Sequence, residues 1–324
     1  MKRREILKCA AAAAASTISV PLLAQSNYPN KPIRLIVPYA AGGGGDTVAR
    51  IISTPLGERL GQSVVVDNRP GANGVLAVQA LTSAATDGYT LLLTDGSILS
   101  VNPLIYKSLK YDPKKDLVPV AQVARGPLFL AAHPKVAANS FAEFVALAHA
   151  KPGTLSYGTP GIGSTHHLCM ESLKAALGVD IRHIPYKGAA QAIPALVSGE
   201  IDLTFAALPS LQGFVKSGQV KLIAVNSPAR HSKAPNLPAI AESIPGFDFS
   251  STMGIVAATG TPASAISRIA AEILQVAKAQ SVLDAFQSVG LEVVALGTSD
   301  YGRAIQAEEE RMSKAVQISK LQPE

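Results

Sequence analysis

Short apolar runs alternate with amphipathic stretches along this chain, and glycine marks most of the switches. Ile33 to Val37 is a β-branched run ending at Pro38; Ala41-Gly42-Gly43-Gly44-Gly45-Asp46 follows, and helical spacing then holds from Thr47 to Leu60. The pattern predicts strand, glycine loop, helix. Val64 to Val66 predicts the next strand, Arg69-Pro70-Gly71-Ala72-Asn73-Gly74 a turn, Val75 to Ser83 a helix, and Thr90 to Thr94 a third strand after Gly88. The same grammar returns later: strand Leu155 to Tyr157, glycine loop Gly158 to Ser164, and helix Thr165 to Leu177 stopped by Gly178. Strand Asp180 to Ile184, turn Pro185-Tyr186-Lys187-Gly188, helix Ala189 to Val197 and strand Ile201 to Phe205 complete the second set. Gly71 lies 28 positions after Gly43, and Gly188 lies 27 after Gly161. One plan is used twice, which predicts two α/β lobes with mostly parallel sheets and with loops at the carboxyl ends of their strands.

Two further apolar runs, Gly126 to Ala132 and Ser251 to Ala258, each lead into a proline turn, at Pro134 and Pro262. They are expected to carry the chain between lobes as a two-strand hinge. The expected division is residues 25–125 plus 251–324 for the first lobe and 126–250 for the second. Ala265 to Lys278, with Ser264 as N-cap, and Thr298 to Ile318 are expected to return as helices covering the first lobe. Glu308-Glu309-Glu310 on the last of them reads as a solvated face.

Composition fits a folded protein of about two domains: 324 residues, 48% hydrophobic and 16% charged. The formal charge of +6 raises the question of nucleic acid, and its distribution answers it. Lys2, Arg3, Arg4 and Lys8 against Glu5 place +3 in the first 24 residues, ahead of an Ala-rich apolar stretch from Cys9 to Leu23. That is the pattern of a secretory leader, expected to be cut after Ala24, and Arg3-Arg4-Glu5-Ile6-Leu7-Lys8 also fits the twin-arginine form. The remaining +3 is scattered without an Arg/Lys stripe, so no nucleic-acid partner is expected. Beyond the leader Cys169 stands alone, in an apolar helical stretch where a buried structural thiol is expected.

A glycine loop opening a helix exposes backbone N–H groups at the positive end of the macrodipole, which suits an anion. One such loop on each lobe fits a small anion, such as a dicarboxylate, gripped at both ends; glycines that merely permit tight turns are the plainer reading. Nucleotide motifs are incomplete, because Ser164 stands where a Walker lysine belongs and Gly42 to Gly45 lacks the spaced dinucleotide pattern. Asp46 reads as a helix N-cap that organises the first loop, and Ser164 and Thr165 as caps whose hydroxyls can also donate to a carboxylate. His166, His167 and Glu171 raise a metal reading, but His167 and Glu171 at i, i+4 lack a third ligand, and packing is favoured.

The ordered set Tyr28-Pro29-Asn30-Lys31-Pro32-Ile33-Arg34-Leu35-Ile36-Val37-Pro38 with its glycine run, Asp67 to Gly74, Asp87 to Leu92, Tyr157 to Ser164 with His167-Leu168, Pro185 to Gly188, Gly199 to Asp202 and Gly260-Thr261-Pro262 resembles the Bug-type receptors. These are the extracytoplasmic solute-binding proteins of tripartite tricarboxylate transporters. The resemblance implies a periplasmic-binding-protein-like clamshell closing on a small carboxylate held by amides, hydroxyls and waters. It nominates Ala41, Gly42, Gly43 and Asp46 in the first loop and Gly163, Ser164 and Thr165 in the second, together with Gly96, Ser97, Lys187, Gly188 and Asp202. His166 sits where the family varies and is expected to touch the distal part of the ligand. Ala40 replaces the family's second proline.

The implied function is a non-enzymatic periplasmic receptor, monomeric and without a cofactor, that delivers a small organic acid to the permease subunits of such a transporter. Two alternatives stand beside it: an exported hydrolase or metal-dependent enzyme using His166, His167 and Glu171, and a signalling receptor whose loaded form docks on a sensor kinase.

Overall fold

The computed structural model describes residues 28–39, 41–42, 44–186 and 189–321. The expected leader, Ala40, Gly43, Lys187 and Gly188 lie outside the described residues. The strands in chain order are β1 (Ile33–Val37), β2 (Val64–Asn68), β3 (Thr90–Asp95), β4 (Leu117–Gly126), β5 (Leu128–Ala132), β6 (Ser156–Thr159), β7 (Arg182–Pro185), β8 (Leu203–Ala207), β9 (Lys221–Val225), β10 (Ser251–Ala258) and β11 (Glu292–Leu296). They form two sheets, in the orders β11-β4-β10-β3-β1-β2 and β7-β6-β8-β5-β9, and each sheet is the centre of one α/β lobe.

Both sheets are mixed and not mostly parallel as expected, because the strands that carry the chain between lobes and those at one edge of each sheet pair antiparallel; the parallel part follows the sequence pattern. The strand–loop–helix units pair in parallel: β1 with β2 and β3, and β6 with β7 and β8. The crossing strands are antiparallel to these, β10 against β3 and β5 against β8. In β1 the residues Ile33, Leu35, Ile36 and Val37 are all buried, as a strand covered on both faces requires. The Gly44–Leu60 helix covers one face through Val48, Ile52 and Leu56, which pack with Ile266, Ile269 and Ile273 of the Ala263–Val276 helix. Each such side chain contributes about 1.5–3 kcal/mol by leaving water.

The run from Gly126 to Ala132 is two strands, because Pro127 has no N–H to continue a ladder. β4 ends the first sheet at Gly126 and β5 opens the second at Leu128. The chain returns where Phe249 leads into β10. Asn226, fully buried, ties the two crossings together: its Oδ1 accepts from the Leu128 N–H at 2.7 Å, and its Nδ2 donates to the Phe249 carbonyl at 2.8 Å. Cys169 lies beside it, fully buried, 3.7 Å from Asn226 Nδ2.

Three expectations change at the C-terminal end. The Ala263–Val276 helix starts after Pro262, whose fixed φ suits a helix start, so Ser264 lies inside the first turn and is not the cap. The Thr298–Ile318 helix begins on the first sheet, where Tyr301 packs on Gly254, but its far end does not stay there. Met312, Ala315 and Val316 join the second lobe's core with Leu168 and Phe249. The glutamate triplet is not a solvated face either: Glu308 is 5% exposed, Glu309 pairs with Lys114 at 2.7 Å, and Glu310 alone is exposed.

The start of the Val75–Thr82 helix shows how tightly the first lobe's loops converge. Gly74 has φ +88°, and a Cβ there would enter the Ile98 side chain. Gly61 has φ +69° with open space around it. In urea unfolding, Gly61→Ala is expected to lose about 1 kcal/mol from the left-handed backbone alone, and Gly74→Ala about 1–3 kcal/mol more from the added clash.

Candidate functional site

The loops after β1, β2 and β3 meet at one end of the first sheet, held by side chains of the strand ends themselves. Asp46, 2% exposed, sits in the first turn of the Gly44–Leu60 helix instead of ahead of it, and its carboxylate reaches back to the loop. Oδ2 accepts from the Gly42 N–H and from Arg50 Nε, each at 2.8 Å, and Oδ1 accepts from Asn68 Nδ2 at 3.0 Å. The Arg50 hydrogen bond first, and the Gly42 N–H next, hold its pKa down at about 2. Asn68 also donates to the Tyr39 carbonyl at 3.0 Å, and the Tyr39 hydroxyl donates to the Asp95 carboxylate. Asp95 Oδ1 in turn accepts the N–H groups of Ser97 at 2.9 Å and Ile98 at 3.2 Å. Ser97–Val101 is wound as a π-helical turn, a form found often at functional sites. A connected chain of bonds thus joins Gly42, Asp46, Asn68, Tyr39, Asp95 and Ser97.

The second glycine loop has its own ties. Ser164 caps the Thr165–Leu177 helix by accepting the His167 N–H at 3.3 Å, and its hydroxyl donates to the Gly161 carbonyl at 2.7 Å. The Thr165 hydroxyl has no partner among the described residues. His167 Nδ1 accepts the Gly163 N–H at 3.2 Å, which places its proton on Nε2. Its ring stacks on His183 at 4.2 Å, and His183 stacks on Tyr157 at 4.7 Å. Glu171 Oε1 accepts from the Tyr157 hydroxyl at 2.5 Å and from Lys174 at 2.7 Å, so this carboxylate is paired with a cation and a hydroxyl of its own lobe. His167 and Glu171 therefore build the wall behind the loop.

His166 points elsewhere. It lines a cavity of about 90 Å³ with Pro160, Ala192, Phe205, Ala207 and Ser210, at the carboxyl ends of β6 and β8. It makes no hydrogen bond among the described residues, and burial pushes its pKa down to about 4. A much larger cavity, about 710 Å³, lies wholly in the first lobe between Leu99, Tyr111 and Ile305 and touches neither glycine loop.

Strand register shows how the two loop sets are related. Asp95 at the end of β3 lies opposite Met253, and Met253 opposite Ala124, two residues before the crossing at Gly126. Ala207 at the end of β8 lies opposite Leu128, the first residue after that crossing. Both lobes therefore turn the loop-bearing ends of β3 and β8 toward that crossing. Ala41, Gly42, Asp46, Gly96 and Ser97 share the first cluster, and Gly163, Ser164, Thr165 and His166 the second. Asp202 joins neither. It lies just before β8, at the opposite end of the sheet, where Ser156 N–H and Oγ donate to it at 2.8 Å and Lys135 lies 3.1 Å away. Gly43, Lys187 and Gly188 lie outside the described residues, although Tyr186, just before the latter pair, donates its N–H to the Thr159 carbonyl beside the second loop.

Sequence reasoning passed over Tyr39, Asn68, Asp95 and Glu308. Asn68 lies inside the noted Asp67 to Gly74 motif, and its place at a strand end was the available signal. For Glu308 the signal was helical phase: it follows Tyr301 by seven positions and precedes Met312 by four, which puts it on the buried face.

Residues 48–321 match the family model described as the tripartite tricarboxylate transporter family receptor. The chain is similar to Protein BugT of Bordetella pertussis, 34% identical over 298 residues, which is 91% of this chain and 91% of that one. Among solved structures, an R. palustris protein with adipate is 32% identical with a TM-score of 0.78, covering 92% of this chain and 100% of that one. MatC from Rhodopseudomonas palustris with bound malate is 27% identical with a TM-score of 0.72, covering 89% and 100%.

Two outcomes follow from the site's geometry. Asp46→Ala removes a buried acceptor of three bonds and is expected to lower stability by about 1–3 kcal/mol in urea unfolding. His166 and His183, both held down at about 4 chiefly by burial, are expected to titrate only near pH 4 in histidine NMR spectra. Because the unfolded chain protonates them near 6.5, stability should fall as pH drops from 6.5 toward 4.

Proposed function

As the chain belongs to the tripartite tricarboxylate transporter receptor family, a family of non-enzymatic solute-binding receptors, we propose that it captures a small organic carboxylate between its lobes and delivers it to the membrane subunits of such a transporter. The observation that carries this reading is the paired arrangement itself: each lobe offers a glycine loop opening a helix, on the sheet end that faces the hinge. A carboxylate there meets the positive ends of two helices, each terminus contributing about 0.3–2 kcal/mol, while the Gly42, Ser97 and Gly163 N–H groups are engaged within the protein by Asp46, Asp95 and His167 and hold the loops in shape. The proposed ligand residues are Ala41, Gly42, Gly43, Gly96 and Ser97 on one side and Gly163, Ser164, Thr165, His166, Lys187 and Gly188 on the other. Asp46 acts through the loop it ties down, since its own charge is already engaged by Arg50, Asn68 and the Gly42 N–H.

In this reading residues 25–125 with 251–324 and residues 126–250 are the two lobes, bending near Pro127 and Ser250, and the end of the Thr298–Ile318 helix that packs in the second lobe's core moves with that lobe. Ligand binding favours the closed form, and the closed form is what the permease recognises. The leader cut after Ala24 directs the receptor to the periplasm. Adipate and malate in the solved relatives make linear and hydroxylated dicarboxylates the first candidates, with monocarboxylates and tricarboxylates completing the panel.

Calorimetry of the mature chain against that panel tests the proposal. At least one acid is expected to bind, with Asp46→Ala weakening it about tenfold and Ser164→Ala a few-fold, since one lost bond of about 1.4 kcal/mol is a factor of ten. Absence of binding to every acid would sink the receptor reading of this site, and an unchanged affinity in both variants would remove the two loops from it.

A further inference from the structure

The Thr298–Ile318 helix brings a carboxyl group to the place where the lobes meet. Glu308 is 5% exposed, and its Oε2 accepts from the Thr252 hydroxyl at 2.7 Å. Its other oxygen occupies the space that a Cβ on residue 96 would fill, so any larger residue there would have to push the carboxyl aside. Gly96 is the residue between Asp95 and Ser97 in the first cluster, and Thr252 is the second residue of β10, just past the return crossing. One carboxyl thus touches both the ligand turn and a hinge strand, on a helix whose far end packs in the other lobe's core.

The surroundings of that carboxyl are polar and incompletely paired. Arg311 faces it from its own helix, Asp95 from the end of β3 and Asp248 from the segment leading into β10. Arg125, whose Cα lies opposite Thr252, stands beyond and reaches Asp248 at 3.7 Å and Glu292 at 3.5 Å. Ser250 Oγ, Arg125 Nε and Arg311 Nε are buried without a hydrogen-bond partner among the described residues. A buried polar group with no partner costs free energy.

We propose that Glu308 is a positioning residue of the ligand site whose neutral form seats the Gly96–Ser97 turn and the start of β10 for an anion, so that carboxylate binding takes up a proton there. The proposal rests on the receptor reading above. An ionised Glu308 behind Gly96 would repel a carboxylate held at Ser97 across a poorly solvated gap, and the neutral form does not. Burial, the largest cause, pushes the Glu308 pKa up to about 7, with Thr252 and Arg311 pulling down and Asp95 and Asp248 pushing up. In the free protein the raised value means that stability declines as pH rises from 4.5 to about 7 and then levels off. For the complex it means that affinity falls as pH rises through the same point. His166 and His183, held near 4, stay neutral across this range.

The test is calorimetry of the full mature chain between about pH 6 and pH 8.5, in paired buffers of different ionisation enthalpy. The probe is the tightest binder among succinate, malate, glutarate and adipate. Wild type is expected to lose about tenfold in affinity across that range and to take up a fraction of a proton near pH 7, and Glu308→Gln to flatten the profile and abolish the uptake. An equal fall in Glu308→Gln, or no proton uptake by wild type, would overturn the proposal. Should Glu308→Gln fail to fold, the buffer dependence of wild type decides alone. Absence of binding by all four acids at every pH would overturn the receptor reading for dicarboxylates, and the proton link with it.

Discussion

Everything at the site depends on how the chain passes between its two sheets. Pro127 breaks what would otherwise be one long strand, so β4 closes in the first lobe and β5 opens in the second within two residues. Asn226, fully buried, then bonds to both crossings, which fixes the return at Phe249 beside the departure at Leu128. Because β10 and β5 run antiparallel to their neighbours, this junction turns the carboxyl ends of β3 and β8 toward it. A parallel strand carries its glycine loop at that end, so the junction sets where both loops open. The Thr298–Ile318 helix adds a third tie, starting against the first sheet and ending in the second lobe's core.

Within that frame each loop is held by a side chain behind it. Asp46 fixes the first by bonding Gly42, Asn68 and Arg50, and Tyr39 carries the connection on to Asp95 and Ser97. In the second, His167 bonds the Gly163 N–H and is itself stacked in the row His167, His183, Tyr157. Pre-arranged loops suit recognition through backbone amides, because ordering a glycine-rich segment at the moment of binding would cost about 1–2 kcal/mol per residue. They also explain why the charged residues nearby, Asp46 and Glu171, are already engaged inside the protein and are not the groups offered to a ligand.

The parts of the fold that were legible in the sequence are those where local pattern and tertiary role agree. Ile33 to Val37, and the Thr165 to Leu177 helix stopped by Gly178, read correctly because the strand is apolar at every position but Arg34 and the helix carries its own stop signal. The crossing at Pro127 was less legible, since Gly126 to Ala132 is apolar throughout and one residue divides two sheets. Glu308 was misread because three consecutive glutamates suggest solvent, whereas helical phase with Tyr301 and Met312 turns one of them inward. Asn226 carried no local signal at all; its role exists only once segments distant along the chain, at Leu128 and Phe249, have met. Asp202, taken with the motif around Gly199, turned out to serve the opposite end of the sheet by binding Ser156 and Lys135.

If the two glycine loops act together on one anion, ligand must reach both lobes at once. Amide hydrogen exchange of the mature chain, with and without its tightest-binding carboxylate, addresses this residue by residue. The amides of residues 42–47 and 97–98 in the first lobe and of residues 161–167 in the second are expected to gain protection together at one ligand concentration. Protection confined to one lobe, or centred on the cavity between Leu99 and Ile305, would contradict joint action of the loops.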